Sequence, residues 1–245
     1  MKGYRKDLAW IHDTGFSGFA TRAAPGLLAL LRRGGVARGS LVVDLGCGGG
    51  HWAEALGKAG YEVMGIDSSA AMIAMARKRA PRARLRRASM FRAGIPPCDA
   101  VTALGECVNY MFDAAGGRSR LSGLFRRVHA ALRPGGLFLF DVAGPGRGGS
   151  GAGGSSRFVL GGDWAVLVNA TEDPRTNILT RRITTFRRAG PGYRRTEEIH
   201  RLQLYRPSEV SALLRRCGFT VRRLGGYGRL RLPVAHAALR ARRKS

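Results

Sequence analysis

The sequence contains few cysteines and no long apolar runs. Its four cysteines, Cys47, Cys98, Cys107 and Cys217, are scattered and include no C-x-x-C pair. This spacing argues against a zinc site or a disulfide framework and is typical of a protein in the reducing cytoplasm. No apolar run approaches the ~20 residues that cross a bilayer, and the first residues lead into no apolar segment of a signal peptide. We therefore expect a cytoplasmic protein that binds neither a membrane nor a metal ion.

Acidic residues are also scarce. Only 16 Asp and Glu residues stand against 42 Lys and Arg residues, which gives a formal net charge of +26. One interpretation is a basic surface that binds nucleic acid or an anionic substrate. The other is compositional, because a chain rich in arginine, alanine and glycine and poor in lysine is typical of a GC-rich genome. The arginines extend from Arg5 to Arg243 without a signature of an RNA-binding module, which favours the compositional interpretation.

Glycine, by contrast, is abundant, and its distribution divides the chain. Residues 144–156 are rich in glycine and serine, as is typical of a flexible linker. Three strand-like runs follow, over 163–171, 177–188 and 193–205, and predict an antiparallel meander after the fifth strand. Elsewhere strand and helix patterns alternate, which predicts a doubly wound α/β fold with a parallel sheet. The predicted units are an N-terminal helical segment (1–39), an α/β core (40–144 and 206–245) and a linker with an antiparallel β insertion (145–205).

One glycine cluster lies at a predicted strand-to-helix turn. The apolar run Leu41–Leu45 is typical of a strand buried on both faces, and the sequence Gly-Cys-Gly-Gly-Gly follows from Gly46. Without a Cβ atom, glycines allow a sharp turn and the close approach of a ligand. The next predicted strand ends at Asp67, whose carboxylate could accept two hydrogen bonds from a ribose diol. The arrangement predicts a nucleotide-type ligand. A dinucleotide fits less well, because His51 stands where the fingerprint G-x-G-x-x-G has its third glycine.

The pattern Asp-x-Gly-x-Gly-x-Gly from Asp44 to Gly50 resembles the first motif of the class I S-adenosylmethionine-dependent methyltransferases. Two later segments also resemble that family, Leu-Arg-Pro-Gly-Gly at 132–136 and Leu-Leu-x-x-Cys-Gly-Phe at 213–219. The resemblance therefore extends over nearly the whole chain. It implies a Rossmann-like, mostly parallel seven-stranded sheet whose last strand is antiparallel. It also implies an enzyme that uses S-adenosylmethionine and releases S-adenosylhomocysteine.

The resemblance implies a set of cofactor-binding positions as well. The glycine loop would line the methionine and ribose, Asp67 would hold the ribose hydroxyl groups, and Ser68 or Met72 would border the adenine. Ser89 and Met90 occupy the place where the family often has an acidic residue that binds the adenine amine. The full implied set is Tyr4, Asp44, Gly46, Cys47, Gly48, Gly50, Asp67, Ser68, Met72, Ser89, Met90, Gly105 and Glu106.

The reaction that the family catalyses requires little covalent chemistry from the protein's own residues. The methyl group is already activated and its leaving group is neutral, so the protein mainly aligns the reactants and excludes water. A general base is needed only where the acceptor arrives protonated. Glu106 and His200 are the predicted catalytic residues, and His51 is a weaker candidate. Each has a structural alternative, Glu106 as a cap at the end of the fourth strand and His200 as a packing or solvated histidine.

The sequence leaves three functions open. In related enzymes an antiparallel insertion after the fifth strand covers the active site over small molecules. This favours transfer of a methyl group to nitrogen or oxygen of a small-molecule acceptor, by a monomer or a homodimer. The second function is an RNA methyltransferase that uses the arginine-rich surface, with nucleic acid as its partner. The third is a protein that binds S-adenosylmethionine without catalysis.

Overall fold

The computed structural model describes residues 3–112, 118–149 and 154–244. The helices of this part of the chain are α1 (Lys6–Gly15), α2 (Gly18–Arg33), α3 (His51–Lys58), α4 (Ala70–Arg79), α5 (Arg118–Ala131) and α6 (Pro207–Arg216), with a 3₁₀ turn at Cys107–Asn109. The strands are β1 (Leu41–Leu45), β2 (Glu62–Asp67), β3 (Arg84–Arg87), β4 (Cys98–Ala103), β5 (Leu132–Ala143), β6 (Ser155–Leu160), β7 (Trp164–Asp173), β8 (Ile178–Ala189), β9 (Gly192–Gln203), β10 (Phe219–Leu224), β11 (Gly226–Tyr227), β12 (Leu230–Arg231) and β13 (His236–Arg243).

The larger sheet has seven strands in the order β10-β13-β5-β4-β1-β2-β3. Strands β1 to β5 run parallel, and β13 pairs antiparallel with both β5 and β10. The strand order reverses between β1 and β4, and a crevice opens at the carboxyl ends of strands at such a point. This topology confirms the predicted doubly wound, mostly parallel sheet with an antiparallel last strand.

Alternate residues of the central strands face two helical layers. Phe138 and Phe140 of β5 belong to a core shared with α5 and α6, whereas Leu137 and Leu139 belong to a core shared with α2 and α3. Burial on both faces explains why the central strands are nearly continuous apolar runs in the sequence. The two layers hold the carboxyl ends of β1, β2 and β4 in place, and the candidate site lies there.

The smaller sheet is an antiparallel meander formed by β6, β7, β8 and β9 in that order. The prediction of three strands is wrong, because β6 precedes them and pairs with β7 from Ser155 to Leu160. The sequence of β6 adjoins the glycine–serine stretch, which predicted a linker. It forms a strand because it pairs with β7 across a turn. Residues 150–153 of that predicted linker lie outside the described part of the chain. The Pro-Gly-Gly segment at 134–136 is an irregularity inside β5, where the register with β4 shifts.

The N-terminal helix α1 connects the two sheets. Leu8 and Ile11 pack against Trp164, Val166 and Ile183 of the meander. On another side of the helix, the carboxylate of Asp13 accepts hydrogen bonds from the Arg79 guanidinium of α4, at 2.7 and 2.8 Å. The crevice above the larger sheet is thereby closed on one side by α1 and covered by the meander. No helix of the described chain is long and apolar enough to span a membrane.

Candidate active site

A cavity of about 400 Å³ opens at the carboxyl ends of β1, β2 and β4. The loops after these strands line one wall, and Val166, Val168 and Ile183 of the meander line the opposite wall. This position is the usual ligand site of an open α/β sheet. All the predicted cofactor-binding residues except Gly50 line the cavity, namely Tyr4, Asp44, Gly46, Cys47, Gly48, Asp67, Ser68, Met72, Ser89, Met90, Gly105 and Glu106.

The glycine loop presents bare backbone to the cavity at Gly48. The φ angle of Gly48 is +53°, and a Cβ atom added to it would meet no atom within 4 Å. Gly50 has a φ angle of +84°, but a Cβ atom there would lie 2.9 Å from the Cα atom of Ala76 in α4. Gly50 therefore allows α3 to begin close to α4, which explains its place outside the cavity lining. The open space at Gly48 fits the approach of a nucleoside and its methionine tail.

Asp67 ends β2 with a carboxylate that backbone amides orient. Its Oδ2 atom accepts a hydrogen bond from Gly48 N at 3.0 Å, and its Oδ1 atom accepts one from Ser69 N at 2.8 Å. Burial raises the pKa of Asp67, although these amides act in the opposite direction. The carboxylate lines the cavity and retains lone pairs for further donors. It can therefore accept hydrogen bonds from a ribose diol.

Asp44 is buried beside the same loop. Its Oδ1 atom accepts a hydrogen bond from the Thr102 hydroxyl at 2.8 Å, and that hydroxyl accepts one from the Trp52 indole at 3.1 Å. Burial raises the pKa of Asp44 to about 7, and the neighbouring Asp67 adds to the rise. A cation in the cavity would favour the ionised form of this carboxyl group. Asp44 is thus placed to hold the loop and to stabilise positive charge on a ligand.

Tyr4 covers the cavity from the N-terminal side. The Ser69 hydroxyl caps α4 by accepting a hydrogen bond from Met72 N at 3.2 Å, and it donates one to the backbone oxygen of Tyr4 at 2.6 Å. The Tyr4 hydroxyl lies 2.9 Å from the Tyr110 hydroxyl. Burial raises the pKa of Tyr4 well above its ordinary value, so the phenol stays protonated. Tyr4 therefore joins the start of α4 to the loop that follows β4.

Glu106 follows β4 in a backbone conformation that non-glycine residues rarely adopt, with a φ angle of +63°. Its amide and that of Gly105 donate to the buried carboxylate of Asp141, at 2.7 and 3.0 Å. Its own carboxylate accepts two hydrogen bonds from Arg147, at 2.6 and 3.1 Å, and one from Arg181 at 3.0 Å. Burial raises the pKa of Glu106, but Arg181 and Arg147 outweigh burial and lower it overall. A carboxylate held in this way is a weak proton acceptor.

His200, the other predicted catalytic residue, is buried in the meander and does not line the cavity. Its Nε2 atom lies 2.9 Å from Oε2 of Glu198. Its ring packs edge-on against Tyr4 and Phe112, with centroid distances of 4.8 and 4.9 Å. Within the described chain its Nδ1 atom has no hydrogen-bond partner. The structure thus places His200 behind Tyr4, and its part in proton transfer stays a prediction.

The sequence did not predict His236 as a site residue, yet His236 lines the cavity. Its Nε2 atom lies 2.7 Å from Oδ1 of Asp141, and Oδ2 of Asp141 accepts a hydrogen bond from the Tyr227 hydroxyl at 3.1 Å. The Nδ1 atom of His236 has no hydrogen-bond partner in the described residues. His236 and Asp141 are 95 residues apart in sequence. They meet only because β13 pairs with β5, so no local motif could have indicated the pair.

Three arginines that the sequence did not predict as site residues also line the cavity. Arg147 follows β5, Arg157 belongs to β6 and Arg181 belongs to β8. They lie around Glu106, at the end of the cavity that the meander covers. The cavity therefore has a carboxylate-lined end at Asp44 and Asp67 and a guanidinium-lined end at the meander.

Comparison with known proteins gives a match over the segment that carries one wall of this site. Residues 42–136 match the family model of a methyltransferase domain, and this segment includes the glycine loop and Asp67. The chain is 26% identical over 199 residues to a putative methyltransferase of Geobacillus sp. (strain WCH70), a match that covers 74% of this chain and 74% of that protein.

Solved structures share the whole fold. A S-adenosylmethionine-dependent methyltransferase from Clostridium acetobutylicum ATCC 824 superposes with a TM-score of 0.82 at 17% identity, covering 97% of this chain and 98% of that chain. An amino pentose methyltransferase from Micromonospora echinaspora, with its S-adenosylmethionine bound, superposes with a TM-score of 0.75 at 21% identity, covering 100% of both chains. The segment that carries the glycine loop and Asp67 thus matches a methyltransferase domain, and the whole chain shares its fold with solved S-adenosylmethionine-dependent methyltransferases.

Proposed function

We propose that the protein transfers the methyl group of S-adenosylmethionine to a nitrogen or oxygen atom of a small-molecule acceptor. The observation that carries this proposal is one continuous cavity, which extends from Gly48 and Asp67 to the inner face of the meander. Its volume of about 400 Å³ is that of a small-molecule site. The amino pentose methyltransferase that shares the fold supports this class of acceptor.

Within this proposal, the chain's residues mainly bind and align. The bound cofactor supplies an activated methyl group on a sulfonium. Asp67 would accept hydrogen bonds from its ribose, Gly48 would leave room for its methionine tail, and Ser68, Met72, Ser89 and Met90 would border its adenine. Tyr4 and the apolar side chains of the meander would exclude water from the acceptor.

Proton transfer, where the acceptor requires it, has three candidate residues. Glu106 and His200 stay predictions. Two arginines engage the carboxylate of Glu106, and His200 lies outside the cavity lining. His236 joins them as a proposal, since it lines the cavity and Asp141 orients its ring. The pH dependence of kcat in Glu106→Gln, His200→Gln and His236→Gln would distinguish them, because only the loss of the base removes the corresponding limb of the profile.

Titration calorimetry of S-adenosylhomocysteine tests the cofactor site directly. We expect Asp67→Ala to weaken binding at least about tenfold, because two charge-assisted hydrogen bonds to the ribose are lost. Asp163→Ala is the matched control, since Asp163 is an exposed carboxylate on the meander turn that pairs with the exposed Arg188. No binding to the folded wild type, or equal effects of the two variants, would contradict the proposal.

A second assay tests catalysis. It measures the S-adenosylhomocysteine that forms from S-adenosylmethionine when amines, alcohols and acids are offered as acceptors. Turnover with a small acceptor supports the proposal, whereas cofactor binding without turnover by any acceptor supports the non-catalytic alternative.

The cytoplasmic location and the monomeric or homodimeric state are proposals as well. The free thiols of Cys47, Cys98, Cys107 and Cys217 support a reducing compartment, and light scattering of the purified protein would measure the state of assembly.

A further inference from the structure

The meander end of the cavity carries more positive charge than its own residues neutralise. Among the described residues that line this end, Arg147, Arg157 and Arg181 lie around one carboxylate, that of Glu106. The side chains of Arg147 and Arg181 are only 20% and 14% exposed, and that of Glu106 is 8% exposed. Because arginine stays protonated, three guanidinium groups around one carboxylate leave positive charge uncompensated in a partly desolvated site.

Arg157, an exposed residue, is the guanidinium of this group that lacks a hydrogen bond or ion pair to the described residues. Arg147 directs its Nε and Nη2 atoms to Oε1 of Glu106, and Arg181 directs its Nη2 atom to Oε2. Arg157 makes no side-chain hydrogen bond or ion pair with residues 3–112, 118–149 or 154–244. Burial and the charges of Arg181 and Arg147 lower its pKa. An anion bound beside Arg157 would offset this repulsion and complete its hydrogen bonding.

The two ends of the cavity therefore differ in the charge that they favour. The carboxyl groups of Asp44 and Asp67 lie at the glycine loop, where the cationic cofactor belongs. The three arginines lie at the meander, on β6, on β8 and after β5, and two of them, Arg147 and Arg181, contact Glu106. The guanidinium-lined end is thus available to the second substrate.

We propose that the methyl acceptor carries an oxyanion, a carboxylate or a phosphate group, that Arg157 and the remaining N–H donors of Arg147 bind. The planar guanidinium fits either group through paired hydrogen bonds. Glu106 is then a positioning residue, which holds Arg147 and Arg181 in place for the acceptor. This inference rests on the proposed function, because it names the chemistry of the acceptor at the same site.

Calorimetric titration of succinate and of inorganic phosphate, each into protein saturated with S-adenosylhomocysteine, tests the proposal. We expect at least one of the two probes to bind, and the one that binds identifies the group as carboxylate or phosphate. Arg157→Gln should weaken that binding about tenfold or more, because a charged hydrogen-bond donor is lost. Arg182→Gln is the matched control, since Arg182 follows Arg181 on β8 but points to the outer, exposed side of the meander.

The control separates the site from the general charge of the protein. Both variants remove one positive charge, so non-specific attraction of anions would fall equally in both, and that result would overturn the proposal. Binding of neither probe to the wild type would overturn it too. The affinity for S-adenosylhomocysteine should be unchanged in Arg157→Gln, and a loss there would assign Arg157 to the cofactor carboxylate instead.

The same titrations keep the two proposals distinguishable. Binding of S-adenosylhomocysteine without binding of either anion leaves the methyltransferase function standing and refutes the anionic acceptor. If S-adenosylhomocysteine does not bind, the proposed function fails, and anion binding to the ligand-free protein still reports on Arg157. In the acceptor panel, acids should be turned over in preference to their uncharged amides, with an increased KM for the acid in Arg157→Gln.

Discussion

At the scale of single residues, the protonation of Asp44 and the binding of a cationic ligand affect each other. Its pKa is about 7, above the ordinary value of 3.8, because the carboxyl group is buried. The folded protein therefore keeps this proton to higher pH than the unfolded chain. The free energy of unfolding therefore decreases as the pH rises from 3.8, the ordinary pKa, to about 7, the pKa in the folded protein. Above about pH 7 it stays at that decreased level. A bound cation reverses this preference by stabilising the carboxylate.

We expect the affinity for S-adenosylmethionine to increase as the pH rises through about 7, the pKa of Asp44. Asp44→Asn should remove this increase, because asparagine stays neutral while its side-chain oxygen can still accept the Thr102 hydrogen bond. Calorimetry of both proteins from about pH 6 to about pH 8 measures the difference. His12, His51 and His236 also face the cavity, and all three are present in both proteins. The same pH dependence in both proteins would contradict the prediction.

The predicted cofactor-binding residues that line the cavity could be found from the sequence because they follow one another closely along the chain. Gly48 and Asp67 lie at the ends of consecutive strands, and a short motif therefore records their positions. Arg157 and His236 could not be predicted in this way. The meander brings the first to Glu106 and the β13–β5 pairing brings the second to Asp141, so their roles depend on contacts between distant segments.

At the scale of elements, one buried carboxylate fastens α1 to the meander. Asp7 of α1 accepts two hydrogen bonds from Arg194 of β9, both at 2.6 Å, and one from Arg187 of β8 at 3.3 Å. The Arg194 hydrogen bonds lower the pKa of Asp7, against the effect of burial. The stability that this contact contributes is therefore present above the ordinary pKa of a carboxyl group and is lost as the pH falls through the lower, folded-state value.

Asp7→Asn should lower the free energy of unfolding by about 1–3 kcal/mol, because two guanidinium groups lose a buried ionic partner, although Arg194 is half exposed. Denaturation by urea at neutral pH measures this loss. It should also weaken the binding of S-adenosylhomocysteine, since Leu8 and Tyr4 of the same segment line the cavity. Asp163→Asn, which breaks only the exposed pair with Arg188, should change stability by less than about 0.5 kcal/mol. Equal losses in the two variants would refute the role of Asp7.

The elements themselves differ in how far the sequence predicts them. The central strands are readily predicted, because burial on both faces selects continuous apolar runs bounded by glycine turns. Strand β6 is not, because Phe158 and Leu160 are exposed and the strand exists through its pairing with β7. The short hairpin of β11 and β12 is another such case. Its four residues pack on α2 through Tyr227, which no periodicity in so short a segment can indicate.

At the scale of the whole molecule, the positive charge surrounds the larger sheet. Exposed arginines lie on both edge strands, at Arg84, Arg86 and Arg87 in β3 and at Arg222 and Arg223 in β10. Others end α2 and α6, which cover opposite faces of the sheet. Charged edge strands discourage pairing with another chain. The positive charge is therefore distributed over several elements of the described structure.

From this distribution we expect RNA to bind only through non-specific attraction. Fluorescence anisotropy should give similar affinities for single-stranded RNA and DNA of equal length, and both should fall steeply from about 50 mM to about 200 mM salt as counterions compete. Neither should gain a methyl group from S-adenosylmethionine, because a cavity of about 400 Å³ beneath the meander admits a small acceptor rather than a folded polynucleotide. An RNA that stays bound at physiological salt and is methylated would establish the RNA methyltransferase alternative. Methylation of a small acid alone would instead mean that only the arginines inside the cavity serve the reaction.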